Sequence, residues 1–96
     1  MEFGKETSED IRIVLKNCTK KEVSLVLEPW GEEYPMELEK DYLVIGRGPQ
    51  VGRGLTIEYL DDAIVITGWT GSVIQVFTEG REVGSVSFRP PVPDFH

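Results

Sequence analysis

Apolar and polar residues alternate one by one in short runs along this chain, and turn-forming residues break the runs at roughly ten-residue spacing. A period of two belongs to β-strands with one buried face, and no stretch carries a convincing helical period. Ile11, Ile13 and Leu15 alternate with Arg12, Val14 and Lys16, and Val23, Leu25 and Leu27 with Ser24, Val26 and Glu28. Asn17 to Lys21 supplies turn chemistry between these runs, so they are expected to form a hairpin. Tyr34, Met36 and Leu38 make a third alternating set, in which Pro35, lacking an N–H, predicts an edge strand. Tyr42 to Ile45 is apolar on both faces and is expected to be covered on both sides.

Further along, Leu55, Ile57 and Tyr59 meet Ala63 to Thr67 across a tight Asp61-Asp62 turn, the clearest hairpin in the chain. Val73 to Thr78 turns through Glu79-Gly80-Arg81 into a strand expected over Val83 to Phe88, with Gly84 marking a bulge or a close backbone approach. Roughly seven or eight short strands result, which predicts an all-β, two-sheet antiparallel β-sandwich, Greek-key and cupredoxin-like or Ig-like in outline. Residues 1–10 read as a loose N-terminus, 11–88 as the sandwich and 89–96 as a Pro-rich tail that leaves the sheet. The expected core is Ile13, Leu25, Leu27, Val44, Ile57, Tyr59, Ile64, Ile66, Ile74 and Val76.

The formal charge is −7, from 17 acidic and 10 basic side chains. Phosphate backbones and anionic membrane surfaces are repelled on average, so neither nucleic acid nor membrane is an expected partner. Cys18 is the one cysteine, which removes any internal disulfide. With no basic-then-apolar leader and no apolar run of membrane-spanning length, the expected compartment is the cytoplasm. Asn17-Cys18-Thr19 fits a glycosylation acceptor, but without secretion it reads as part of a turn.

The opening strand-turn-strand, Ile11 to Leu27, loosely resembles the Greek-key sandwich of the cupredoxins. Their blue copper needs two imidazoles and a thiolate, usually with a weak axial Met. This chain has one histidine, His96, and its cysteine lies in a turn. Copper of that kind, Cys/His zinc and a Cys-His nucleophile are therefore excluded. Leu27-Glu28-Pro29-Trp30-Gly31-Glu32-Glu33-Tyr34 and Asp61-Asp62-Ala63-Ile64-Val65-Ile66-Thr67-Gly68-Trp69 resemble patterns in small uncharacterised bacterial β-sandwich proteins. That resemblance spans roughly residues 11–80 and implies a fold, with no mechanism, cofactor or catalytic residue to carry over.

Aromatic, turn and charge signals coincide between Leu25 and Asp41. Glu28, Glu32, Glu33, Glu37, Glu39 and Asp41 against Lys40 give a local charge of −5. They lack the short Asp/Asn spacing and central glycine of a calcium loop, so they read as a solvated edge that resists sheet-to-sheet aggregation. Glu32/Glu33 and Asp61/Asp62 are adjacent, would point to opposite faces of a strand and do not match a glycosidase pair. Trp30, Tyr34 and Trp69 lie near loops, where they can serve a protein contact, a sugar platform or the plugging of the core's ends. The Gly46 to Gly54 loop, with Arg47 and Arg53, matches no phosphate-binding fingerprint and reads as a connection. Pro90-Pro91-Val92-Pro93 has the composition of a polyproline ligand or of a strand-edge tail. The candidate binding surface is thus Trp30, Glu32, Glu33, Tyr34 and Trp69, with no catalytic or metal-ligating set to assemble. The expected function is a non-catalytic module that contacts another protein or a second copy of itself; the alternative is a carbohydrate-binding domain using the loop aromatics.

Overall fold

The computed structural model describes residues 10–83 and 90–93, and these form eight strands and no helix. The strands are β1 (Ile11–Lys16), β2 (Val23–Glu28), β3 (Glu32–Met36), β4 (Asp41–Arg47), β5 (Thr56–Tyr59), β6 (Ala63–Thr67), β7 (Val73–Thr78) and β8 (Arg81–Glu82). One sheet runs β1-β4-β7-β8, all antiparallel, and the other runs β3-β2-β6-β5. Side chains from the two inner faces meet in a single apolar layer, which makes the molecule a two-sheet β-sandwich.

Period-two patterning sets which residues enter that layer. Leu25, Leu27, Val44, Ile66, Ile74 and Val76 are fully buried, as expected, and Ile13, Ile57 and Ile64 pack against them partly buried. Tyr59 does not join them: it is 69% exposed, at the end of edge strand β5, where no further strand covers it. Leu15, Val23, Met36 and Tyr42 complete the core instead. Pro35 lies on edge strand β3, where a missing N–H costs no ladder bond. The β5–β6 hairpin forms as expected, closed by the Leu60 N–H donating to the Ala63 carbonyl at 2.8 Å. Gly46, expected in a loop, is the penultimate residue of β4.

Two features of the pairing differ from the expected hairpins and mostly antiparallel order. β1 and β2 make no hairpin: β1 pairs with β4 and β2 with β3, so the chain changes sheet at Asn17–Glu22. β2 also pairs with β6 in parallel, Leu25 opposite Ile64 and Leu27 opposite Ile66. Because the chain changes sheet again between β3 and β4, β4 and β5, and β6 and β7, strands distant in sequence become neighbours. Beyond Val83 the expected last strand, with Gly84, lies outside the described residues.

Asn17 explains the sheet change. It is 2% exposed, and its side chain meets all its partners locally and across the sandwich. Nδ2 donates to the Lys21 and Met36 carbonyls at 3.0 Å each, while Oδ1 accepts from the Thr19 N–H at 3.0 Å and the Thr19 hydroxyl at 2.7 Å. Its main-chain carbonyl accepts from the Glu39 N–H at 3.1 Å. An amide so enclosed is not available as a glycosylation acceptor in the folded chain. Removing it orphans the buried Met36 carbonyl, while the Lys21 carbonyl keeps the Thr19 hydroxyl at 2.7 Å, so Asn17→Ala should lose about 2 kcal/mol of unfolding free energy. A urea titration with an unchanged slope and a lowered midpoint is the expected result; Cys18→Ala, at an exposed neighbouring position, should leave the midpoint near wild type.

Candidate functional site

The turn after β2 carries Pro29, Trp30 and Gly31, closed by the Gly31 N–H on the Leu27 carbonyl at 2.9 Å; the Glu28–Pro29 peptide is cis. Gly31, at φ 73°, supplies the left-handed residue this turn requires. The indole of Trp30 is half-buried against the core, and its Nε1 donates to the Pro90 carbonyl at 2.8 Å. Trp69, in the turn between β6 and β7, is 6% exposed and donates Nε1 to the Pro49 carbonyl at 2.9 Å. Both tryptophans therefore close the same end of the sandwich, each tying a loop to it. The flat exposed strip that sugar stacking needs is not available at Trp69.

That closure is dense. Ser72, fully buried, accepts the Trp69 main-chain N–H at its Oγ at 2.9 Å. The Val92 N–H donates to the Ser72 carbonyl at 3.0 Å, and the Gly71 N–H donates to the Val92 carbonyl at 2.8 Å. Val92 is itself buried, so the Pro90–Pro93 segment is laid along the sandwich with its central backbone groups already used. Polyproline recognition needs such a segment free, and here it is engaged.

The remaining residues of the sequence-derived surface do not share this corner. Tyr34 sits on β3, partly buried, with its hydroxyl donating to Glu32; Glu33 is exposed on the opposite face of that strand. Tyr34 instead borders a polar groove at the far end of the sandwich, with Glu37, Lys40, Tyr42, Thr78 and Arg81. There Lys40 lies 2.8 Å from Glu37 and 3.4 Å from Glu79. Chiefly the Glu37 hydrogen bond, with Glu79 adding to it, raises the Lys40 pKa above its ordinary 10.5. The small stability this pairing contributes is therefore complete below that value and lost as the pH climbs through the raised one. The six acids are dispersed among separate contacts. Among the described residues no three His, Cys, Asp or Glu side chains come together as a metal site.

A different surface emerges on the outer face of the β1-β4-β7-β8 sheet. Val14, Leu43 and Phe77 stand in one row across β1, β4 and β7, with Arg12, Ile45 and Gln75 in the next. Val14 is 62% exposed, whereas its inward neighbours Ile13 and Leu15 feed the core. Val14, Leu43, Ile45 and Phe77 floor a shallow, mainly apolar groove of about 490 Å³, rimmed by Asp41, Glu79 and Gly80. Gln75 Oε1, also on this face, is buried without a hydrogen-bond partner among the described residues. The apolar groove is built from positions the core does not use.

Comparison with known proteins returns no matching family model, no matching curated protein and no matching solved structure. Among the described residues no helix is long and apolar enough to cross a membrane. The sequence signal of this groove, absent from the aromatic corner singled out above, is apolar residues at out-of-phase positions: Val14 on β1, Leu43 and Ile45 on β4, and Phe77 on β7.

The tryptophan end tests as structure. A Cβ at Gly48 would stand 2.7 Å from Ser72 Cα, whereas one at Gly54 meets nothing within 4 Å. Gly48→Ala should therefore lose about 1–3 kcal/mol of stability by overpacking, and Gly54→Ala should stay near wild type. Chemical denaturation followed by tryptophan fluorescence measures both.

Proposed function

We propose that this chain is a non-catalytic interaction module whose contact surface is the outer face of the β1-β4-β7-β8 sheet. The observation that carries the reading is the apolar row Val14, Leu43 and Phe77 with Ile45, set in a groove on a sheet whose other face already supplies the core. Contiguous apolar surface bordered by charge on a small domain marks an interaction site more often than a structural need. Trp30 and Trp69, the obvious anchors in sequence, spend their N–H groups and much of their ring surface on closing the sandwich. The acidic residues of β3 and the turn after it then serve as a solvated edge, which limits unwanted strand pairing.

The non-catalytic character rests on the chain's chemistry. Its lone cysteine lies exposed in the turn after Asn17, and its lone histidine is the last residue. An exposed, unpaired Cys18 also fits a reducing compartment, which supports the cytoplasm as its location.

A photo-crosslinking amino acid placed at position 14 of the full chain in growing cells should give discrete protein adducts. The same probe at position 58, exposed on β5 in the other sheet, should not. Adducts at position 58 with none at 14 would overturn the assignment of the face.

A further inference from the structure

Independently of that contact face, we infer that β1 is the seam of a symmetric dimer, its free edge pairing antiparallel with β1 of a second copy. Main-chain directions fix which groups this edge offers. The Val83 N–H donates to the Val76 carbonyl at 2.8 Å, so Val76 points its main-chain groups at β8. Its neighbours Gln75 and Phe77 then point theirs at β4, and Ile45 and Leu43, opposite them, point back at β7. The Asp41 carbonyl has the same parity and accepts the Thr78 hydroxyl of β7 at 2.9 Å. Tyr42, Val44 and Gly46 therefore bond Leu15, Ile13 and Ile11 across the β1–β4 ladder. The N–H and C=O of Arg12, Val14 and Lys16 point off the sheet, and no strand among the described residues takes them.

The other three sheet edges are blunted. β3 carries Pro35, β5 has four residues and β8 two, whereas β1 runs six residues without proline or glycine. On the inner side of this edge Ile11 and Ile13 stay half-buried. An incoming strand completes the core there only if it brings apolar residues at every second position. β1 is itself such a strand.

Keeping both cores on one side of the joined sheet sets odd residues opposite odd ones. A pairing centred on Arg12 puts Arg12 against the partner's Arg12. One centred on Val14 puts Arg12 against the partner's Lys16, twice by symmetry. Like charges directly opposite disfavour both. Centred on Ile13, the pairing has no such clash: Ile13 meets the partner's Ile13, Ile11 the partner's Leu15, Arg12 the partner's Val14 and Asp10 the partner's Lys16. Asp10 can take that lysine, because its contacts with Arg47 at 3.1 Å and Arg12 at 3.6 Å both use Oδ2. Lys16 is held only loosely by Asp41, at 3.9 Å. The even residues become the hydrogen-bonded pairs, so the outward main-chain groups of both edges are satisfied.

The two-fold axis stands normal to the sheet, so two four-stranded sheets become one of eight strands with both outer faces on one side. A partner of the Val14, Leu43, Ile45 and Phe77 groove then meets two copies of it, a gain in avidity without a new contact. Residues Asp10 to Lys16, at about 3.4 Å each, make a seam about 24 Å long. A single strand-to-strand seam lies at the small end of specific interfaces, so the dimer is weak and reversible.

Sedimentation velocity of the full chain up to roughly 1 mM tests this, since a Kd of that order leaves about half the chains paired there. The expected result is a coefficient that climbs with concentration above that of the 10.8 kDa monomer. Arg12→Pro deletes an N–H aimed at the partner and none used by β4, and should weaken association at least about tenfold with the fold intact by circular dichroism. Arg12→Ala keeps that N–H and should stay within about threefold of wild type.

Single cysteines in a Cys18→Ser background read the register. Ile13→Cys should form an intermolecular disulfide under mild oxidation, because the two positions 13 stand opposite in a non-hydrogen-bonded pair about 4.5 Å apart. Val14→Cys should not, since the two positions 14 lie diagonally at about 7–8 Å. Chance collision would favour the reverse, because Val14 is 62% exposed and Ile13 half-buried. A monomer at every concentration, association unchanged by Arg12→Pro in a folded chain, or crosslinking at 14 in preference to 13 overturns the seam. None of these decides the contact face, which rests on the adducts at position 14 against those at position 58.

Discussion

One buried amide holds the sandwich to its topology. Asn17 ends β1, and without it nothing in the local sequence would stop Ile11–Lys16 and Val23–Glu28 from closing into the hairpin that their patterning favours. Its two Nδ2 hydrogens are spent on the Lys21 carbonyl and, across the sandwich, on Met36 at the end of β3. Breaking this arrangement strands the buried Met36 carbonyl, and the penalty for that exceeds the worth of one ordinary hydrogen bond. With β1 and β2 held in different sheets, β2 is free on both sides. It takes β3 antiparallel on one and β6 in parallel on the other.

The opposite end is held by contact distance as much as by hydrogen bonds. Gly48 and Gly68 let the loop after β4 and the turn after β6 approach Ser72 so closely that a Cβ would stand 2.7 Å from Ser72 Cα at the first and 2.6 Å from Ser72 Oγ at the second. Into this closure come Trp69, bonded to Pro49, and Val92, bonded to Ser72 and Gly71. Aromatic residues beside turns are natural anchors for a partner, but an indole already buried with its N–H engaged has little left to offer. Stability at this end thus commits both tryptophans to closing the sandwich.

Legibility followed the range of the interaction. Strand positions and most inward residues could be read from period two, because alternation is a local property and Leu25, Leu27, Val44, Ile66, Ile74 and Val76 obey it. Edge strand β3 was legible through Pro35, whose missing N–H acts within its own strand. The β5–β6 hairpin was legible too, but the β1–β4 and β2–β6 pairings were not, since they depend on where the chain changes sheet, a long-range matter in which Asn17 bonds to Met36, 19 residues away. Tyr59 misled for a related reason: its phase is right, but β5 is an edge and its end projects past the neighbouring sheet's cover. Of Trp30, Glu32, Glu33, Tyr34 and Trp69, the two tryptophans come together at one end, while Glu33 faces away from the bonded pair Glu32 and Tyr34 because adjacent strand residues point opposite ways.

The outward apolar residues of the first sheet acquire meaning from that same two-faced geometry. A sandwich needs one face of each sheet, and the outer face of the second sheet sets half-buried Val26 and Val65 between exposed Glu33 and Glu58 in one row. The first sheet carries a larger apolar set outward, Val14, Leu43, Ile45 and Phe77, which line a shared groove. Exposed apolar surface on a sheet invites non-specific association, and an acidic chain resists this mainly by like-charge repulsion. Arg12, Lys16 and Arg47, paired there with Asp10 and Asp41, bring this face closer to neutrality than the chain as a whole and so relax that repulsion here.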